Sequence, residues 1–180
     1  MGRLLINILY TLFIFSLATV VQGQENYPIP KETPTRLFYI QHSNNHNTYV
    51  YDANIKNQLI DKEEPVNEYR IVYTEGGVIK PLTVIQKRKA YGFTSTYLSP
   101  TLFKLNLAAN VKAPFYLTLD DHLKPKVYIT INNRKMFLDR IFIQLKNSVS
   151  IIHPEADYIL FEGKDFFSEK KVTEKYFLDH

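Results

Sequence analysis

The clearest signal in this chain is a strict alternation of apolar and polar residues in its second half. In the segment TLFKLNLA, Phe103, Leu105 and Leu107 share one parity, and polar residues take the other. Residues 115–119 and 127–131 repeat the pattern. Because successive side chains of a strand point to opposite faces, period two predicts strands with one buried and one wet face, as is typical of antiparallel sheets.

Two interruptions of this alternation predict local backbone geometry. Asn132 and Asn133 separate two alternating runs, and Asn tolerates the conformation that a two-residue hairpin turn requires. In the following strand the apolar positions change parity between Leu138 and Ile141. Since a one-residue slip sends every later side chain to the opposite face, the pattern predicts a bulge or break near 139–140.

The first half of the chain predicts three further strands. Residues 36–41 (RLFYIQ) and 48–51 (TYVY) are aromatic and β-branched, and the polar HSNNHN between them indicates a hairpin with a longer loop. Residues 68–73 (EYRIVY) form the third run, which two glycines end. The closing part predicts short strands at 148–152 and 157–161, then a last hairpin through GKDFFSEK.

One segment, PLTVIQKRKAYGF, has the features of a helix. Pro81 suits a first helical position, where its missing N–H would be unpaired, and Gly92 suits a left-handed position just past the end. Leu82, Ile85 and Tyr91 recur at roughly helical spacing. We therefore expect a single helix that covers a sheet face or closes one end of a barrel.

Together these patterns predict a mainly β protein. We expect residues 36–180 to form a single domain, an antiparallel barrel or sandwich of about nine short strands with one covering helix near 81–91. The 13 Tyr and 12 Phe, without any Trp, fit strands better than a helical bundle. The absence of Cys excludes disulfides, thiolate metal ligands and Cys nucleophiles.

The N-terminal residues predict export. Residues 1–23 have one positive charge at Arg3, a long apolar run and a final VQG, which together predict a signal peptide cleaved after Gly23. Residues 24–35 contain three prolines and predict an extended linker. An uncleaved membrane anchor is the alternative interpretation, and in both cases we expect the domain in the periplasm or at the outer surface.

Net charge changes this picture little. The full chain has a formal charge of +4, and without the leader 21 basic residues stand against 18 acidic ones. So small an excess does not predict a nucleic-acid partner.

Four stretches carry a resemblance to a known family: RLFYIQHSNNHNTYVYDAN, EYRIVYTEGG, PLTVIQKRKAYG and DYILFEGKD. On these the chain resembles an uncharacterised exported bacterial family, domain of unknown function 4833. The likeness runs from about Arg36 to the C-terminus, and its most specific parts are the opening hairpin and the helix that ends in Ala90, Tyr91 and Gly92. The resemblance implies one exported domain and assigns no catalytic residue.

The predicted helix supplies the first candidate site. Gln86, Arg88, Lys89 and Tyr91 would line one end of a barrel, where the planar guanidinium of Arg88 suits a carboxylate or phosphate. The alternative interpretation is a solvated helix face whose long side chains cover apolar surface.

Two polar loops supply a candidate metal site. His42 and His46 belong to one loop, and Asp121 and His122 belong to another. If the two loops met, imidazole and carboxylate groups would suit zinc or a related metal. The same residue types are common in polar turns, which is the alternative interpretation.

The sequence favours a binding protein over an enzyme. It contains no G-x-S-x-G elbow, H-E-x-x-H helix or phosphate-binding glycine loop, so no cofactor is predicted, although missing motifs do not exclude catalysis. We expect an exported binding or accessory module of the cell envelope that acts on a small ligand or an envelope protein, with no nucleic-acid partner and with membrane contact only through an uncleaved leader. A small secreted hydrolase that uses loop His and carboxylates, and a structural subunit that pairs through edge strands, remain open as alternatives.

Overall fold

The structure, a computed structural model, describes residues 27–109, 113–146 and 155–178. The predicted signal peptide, the first residues of the linker and the strand predicted at 148–152 lie outside these ranges. Within them, no helix has the length and apolar character needed to cross a membrane.

Strands dominate the described residues, with one short helix α1 (Val84–Gln86) that continues as a π-helical turn over Lys87–Tyr91. The strands are β1 (Arg36–His42), β2 (Asn45–Ala53), β3 (Ile55–Lys56), β4 (Leu59–Ile60), β5 (Val66–Val72), β6 (Val78–Pro81), β7 (Phe93–Ser99), β8 (Leu102–Leu107), β9 (Phe115–Leu119), β10 (Pro125–Ile131), β11 (Arg134–Leu145), β12 (Ala156–Asp165) and β13 (Lys171–Phe177). A 3-10 turn at Tyr73–Glu75 links β5 to β6.

Strand β11 organises the main sheet. Its first part, 134–137, pairs antiparallel with β10, and its second part, 140–143, pairs parallel with β1 along the same edge. Strand β12 covers the opposite edge over most of its length and carries β13 beyond it. One edge of β11 therefore supports two wings, β1-β2-β5-β6 and β10-β9-β8-β7, and the sheet curls into a half-barrel.

The predicted bulge lies where the partner of β11 changes, and it is confirmed. The register of β11 against β12 shifts between Leu138 and Arg140. Met136 and Leu138 before the shift and Ile141 after it are all buried, so the slip in register keeps both halves of β11 facing the core.

Four aromatic rings join the inner faces of the two wings. Phe38 of β1 stacks on Tyr51 of β2 and on Phe115 of β9, with centroid distances of 4.6 and 5.7 Å. Phe93 of β7 meets Tyr51 and Phe115 edge-on at 5.3 and 5.2 Å. Large aromatic side chains dominate the free energy of burial in a core, so this cluster holds the curled sheet together.

The mainly β fold with one covering helix is confirmed, as are the Asn turn and the last hairpin. Asn132 and Asn133 both have positive φ, and β12 pairs with β13. The described residues form thirteen strands, eleven of them in the main sheet, where about nine were expected. One pair of the main sheet is parallel, because β1 runs in the same direction as β11. The first hairpin is tighter than predicted, since His42 and Asn45 already pair and leave only two residues for the turn.

The start and end of the helix were predicted wrongly. Pro81 is the last residue of β6, and Thr83 is the N-cap, in a capping box whose other member is the side chain of Gln86. Gly92 has a φ of −80° and is not left-handed. Its lack of a side chain matters for another reason, because an added Cβ would lie 2.4 Å from the carbonyl oxygen of Lys87.

The predicted apolar stripe of the helix is also only partly correct. Leu82 is buried and Tyr91 is half-buried, but Ile85 is 72% exposed. Leu82 precedes the N-cap and lies outside the helix, so helical spacing does not place it on one face with Ile85. Between Ile85 and Tyr91 the π turn, with its i→i+5 bonding, changes the angular spacing that the prediction assumed.

Gly163 offers a test of the bulge. It pairs with Leu138, and an added Cβ would lie 1.9 Å from the carbonyl oxygen of Phe137. We expect Gly163→Ala to lower the free energy of unfolding by about 3 kcal/mol, because backbone on both strands must move. Urea unfolding measures this, with Thr173→Ala on exposed β13 as a control that changes stability by less than about 0.5 kcal/mol. Equal stability of the two variants would contradict the close approach of β12 to the bulge.

Candidate functional site

The structure brings together one residue from each predicted site. The hydroxyl oxygen of Tyr91 lies 2.9 Å from Nε2 of His42, and the Tyr91 ring stacks on Tyr49 at 3.5 Å. The Tyr51 hydroxyl donates to the Tyr91 carbonyl oxygen at 2.9 Å. This network anchors the π turn to β1 and β2, and His42 belongs to the end of β1 rather than to a loop.

Burial sets the protonation of this network. It lowers the pKa of His42 to about 4, so the imidazole is neutral at pH 7. Burial, followed by the neighbouring Tyr49, raises the pKa of the Tyr91 hydroxyl above its usual range. A neutral imidazole bonded to an un-ionised phenol suits a structural anchor better than a proton-transfer pair.

The other predicted binding residues lie on the outside of the helix. The amide oxygen of Gln86 accepts from the backbone N–H of Thr83, so this side chain is occupied as a cap. Arg88 and Lys89 are exposed, and neither lines the cavities of about 220, 500 and 420 Å³ that the described residues form. Tyr91 does not line these three cavities either.

The predicted metal ligands each have different neighbours. His46 packs edge-on against the ring of Tyr27, with centroids 5.1 Å apart. Asp121 and His122 are exposed in the turn between β9 and β10, where Asp120 accepts from the backbone N–H of His122. Across the described ranges, no group of three or more His, Asp or Glu side chains is placed to hold a metal ion.

The largest concave feature described runs along β10 and β11 and includes the rings of Tyr128 and Phe137, which face away from the core, and we call it the outer groove. It consists of two cavities of about 500 and 420 Å³ that share Lys126 and Phe137 on their common boundary. The larger cavity lies beside the bulge of β11 and the linker, and the smaller one lies toward β8 and β9.

The larger cavity is mainly basic. Its charged lining residues are Arg36, Lys124, Lys126, Lys164 and Lys171 against Glu32, Asp139 and Glu169. Arg36 pairs with Asp52 at 2.6 Å and Lys126 with Asp120 at 3.2 Å. The other three lysines are exposed and make no ion pair with any residue that the structure describes.

Aromatic rings continue the outer groove across three strands. Tyr116 of β9, Tyr128 of β10 and Phe137 of β11 are neighbours in the strand registers, and the Tyr116 and Tyr128 rings stack at 5.1 Å. Phe166, from the turn after β12, stacks on Phe137 at 4.8 Å. The ammonium of Lys135 lies 4.1 Å from the centroid of Tyr128 and 3.6 Å from that of Phe166, so the aromatic surface also carries positive charge.

We did not predict this site from the sequence, although the chain contains a signal for it. Tyr116, Tyr128 and Phe137 lie at the strand positions that alternate with buried ones, where small polar residues would be enough for a solvent-facing surface. Aromatic rings on a wet face indicate a surface with a task beyond solubility. Sequence alone does not show that the three strands adjoin.

Comparison with known proteins gives a family and no function. A family model described as Domain of unknown function (DUF4833) matches residues 38–175, so the chain belongs to this family, and the resemblance in the sequence is confirmed. No curated protein and no solved structure matches the chain.

The half-buried His42 predicts a pH dependence of stability. Below a pH of about 6.5 the unfolded chain protonates this residue, whereas the folded protein keeps it neutral down to about pH 4. The unfolded state thus binds more protons in that window. We expect His42 to lower the free energy of unfolding by an amount on the order of 3 kcal/mol as the pH falls from about 6.5 to about 4.

Chemical unfolding of the wild type and His42→Gln across this range isolates the effect. We expect a shallower loss of stability on acidification for His42→Gln, which cannot be protonated there. His122→Gln, at an exposed residue, serves as control and should follow the wild type. Parallel curves for wild type and His42→Gln would show that His42 is not held neutral.

Proposed function

We propose that this protein is an exported, non-catalytic binding module of the cell envelope whose outer groove holds an acidic polysaccharide. The observation that carries this proposal is the continuity of two surfaces. Lysines without ion-pair partners among the described residues line one cavity, and outward aromatic rings line the adjoining one.

The lysines provide recognition of negative charge. Lys124, Lys164 and Lys171 have long, exposed side chains around the larger cavity, and each ammonium offers three hydrogen-bond donors. Carboxylates or phosphates spaced along a polymer would meet several of these ammonium groups in succession. Such contacts are weak singly and screened by salt, so they favour a ligand with repeated charges.

The aromatic rings provide recognition of ring-shaped, partly apolar units. An aromatic face carries negative quadrupole charge and attracts the weakly positive C–H groups on the face of a sugar ring. Tyr128 and Phe137 line the smaller cavity together with Thr101 and Thr118, whose hydroxyls suit the hydroxyl groups of a carbohydrate. A polymer of charged sugars satisfies both halves of the outer groove.

The predicted leader supports the location. An exported protein would meet the acidic polymers of the envelope outside the cytoplasm. The small net charge of the whole chain is compatible with a basic surface at one place. Neither the hydrolase nor a metal-dependent activity is favoured by the contacts of His42 or His122 described above.

Binding can be tested by calorimetry with a tetrasaccharide of galacturonic acid, and with maltotetraose as the uncharged probe. We expect affinity for the acidic probe only, decreasing as salt rises. The double variant Lys164→Ala, Lys171→Ala should bind about tenfold more weakly, because two contacts of roughly 0.7 kcal/mol each are lost. Tyr128→Thr, which retains strand propensity, should also weaken binding.

The matched control is Lys175→Ala, an exposed lysine on β13 that lines neither cavity of the outer groove. It should bind as the wild type does. Equal binding of the charged and uncharged probes, no binding of either, or equal losses in Lys175→Ala and the double variant would refute the proposal.

The location has its own test. We expect protein recovered from the envelope to begin at Gln24, which the mass of the intact chain and of its N-terminal peptide would show. Replacing Gly23 by Trp should leave the leader attached, because signal peptidase requires a small residue at the last position. Recovery of the full-length wild-type chain from the cytoplasm would contradict export.

A further inference from the structure

The half-barrel is open along one seam, between β5 and β7. A cavity of about 220 Å³ lies there, lined by residues of both strands and of the segment that precedes β5. The carboxylate of Glu68 accepts from the backbone N–H of Phe93 at 2.6 Å, and the ammonium of Lys62 lies 5.0 Å from the ring centroid of Tyr97.

The edge of β7 that faces the seam has backbone groups without a hydrogen-bond partner among the described residues. Gly92 accepts from the N–H of Ala108 on the β8 side, so the odd residues that follow, Phe93, Ser95 and Tyr97, direct their N–H and C=O groups away from β8. Among the described strands, β7 pairs with β8 alone. The N–H of Phe93 is taken by Glu68, which leaves Ser95 and Tyr97 facing the seam.

The opposite side of the seam also presents a free strand edge. Strand β6 pairs with 69–72 of β5, so among the described strands 66–68 has a partner on the β2 side only. The seam is thus bounded by two strand edges that do not pair with each other, a geometry into which an extended segment fits.

The charge of the seam indicates what kind of segment it would accept. Glu63, Glu64 and Glu68 line the cavity with Lys87, which pairs with Glu68 at 3.6 Å, and Lys62 lies beside the seam over the ring of Tyr97, so carboxylates outnumber ammonium groups by three to two. Glu63 and Glu64 are exposed and form no ion pair with any described residue. An incoming chain with Lys or Arg side chains would therefore complement these carboxylates.

The other two edge strands are protected against pairing, whereas β7 is not. Strand β13 carries Lys171 and Lys175, and β6 is short and ends in Pro81 after Lys80. Strand β7, FTSTYLS, has seven residues without a charge or a proline. Proteins usually protect free edges with such residues, so an uncharged edge beside an acidic cavity is best explained by a partner.

We propose that the seam binds an extended, basic peptide segment, which adds to the free edge of β7 as a further strand and sets its Lys or Arg side chains against Glu63 and Glu64. Backbone hydrogen bonds to Ser95 and Tyr97 supply the pairing, and the carboxylates select the charge. This site shares no lining residue with the outer groove, so the proposal does not depend on polysaccharide binding.

The test uses a fluorescently labelled acetyl-Lys-Val-Lys-Val-Lys-Val-amide peptide and measures its anisotropy with the purified chain. We expect Thr96→Ala, at an exposed neighbour that does not line the cavity, to bind as the wild type does. Ser95→Pro removes the outward backbone N–H of residue 95 without removing a bond of the β8 ladder, and proline is tolerated at strand edges. It should bind at least tenfold more weakly, and bound peptide should slow amide exchange at Ser95 and Tyr97 in the wild type.

Two further peptides decide between pairing and simple charge attraction. A version N-methylated at alternate amides keeps the charges but cannot form a strand ladder, and a version with Glu in place of Lys keeps the ladder and reverses the charge. We expect both to bind at least tenfold more weakly. If Ser95→Pro does not fold, the N-methylated peptide decides the question. Equal binding of the N-methylated and parent peptides, equal binding of the Glu peptide, or no binding of the parent peptide would overturn the proposal.

Discussion

The fold depends on how the hydrogen-bonding groups along one edge of β11 are divided. The first part of that edge pairs antiparallel with β10 and the second part pairs parallel with β1. Two wings therefore start from one strand, and the bulge between Leu138 and Arg140 lets both parts turn apolar side chains to the same core. Gly163 is part of the same arrangement, because only a residue without Cβ lets β12 approach the backbone of Phe137 this closely.

This division also explains why the sheet stays open. The wings converge on the aromatic cluster around Phe38 and Phe115, but their outermost strands, β6 and β7, do not pair. The helical segment connects these two strands and is anchored inside by Tyr91, whose hydroxyl meets His42. Closure at the helical end is thus achieved by side chains and a covering turn, whereas the seam beside Glu68 keeps free strand edges.

Two surfaces with different chemistry follow from one curled sheet. On β9, β10 and β11 the solvent-facing rings of Tyr116, Tyr128 and Phe137 lie side by side. Lysines next to these rings complete the outer groove. The seam exposes a strand edge, so its recognition chemistry is that of the backbone, with Glu63 and Glu64 adding charge. A face selects ligands by side chains and an edge selects them by conformation, so the two sites that we propose would take unlike partners.

Much of the local structure was determined by the sequence, since period-two alternation, the Asn132 turn and the parity change after Leu138 are properties of neighbouring residues. We predicted the start of the helix at Pro81, but the helix begins after Thr83. The side chains of Thr83 and Gln86 satisfy two backbone N–H donors there, and this capping box also involves only neighbouring residues. Only the tertiary structure decided which strands adjoin. The contact of His42 with Tyr91, the adjacent rings of the outer groove and the free edge of β7 all depend on pairings between residues far apart in sequence. Alternation predicts which face of a sheet a residue lies on, but it does not predict which residue lies beside it on the next strand.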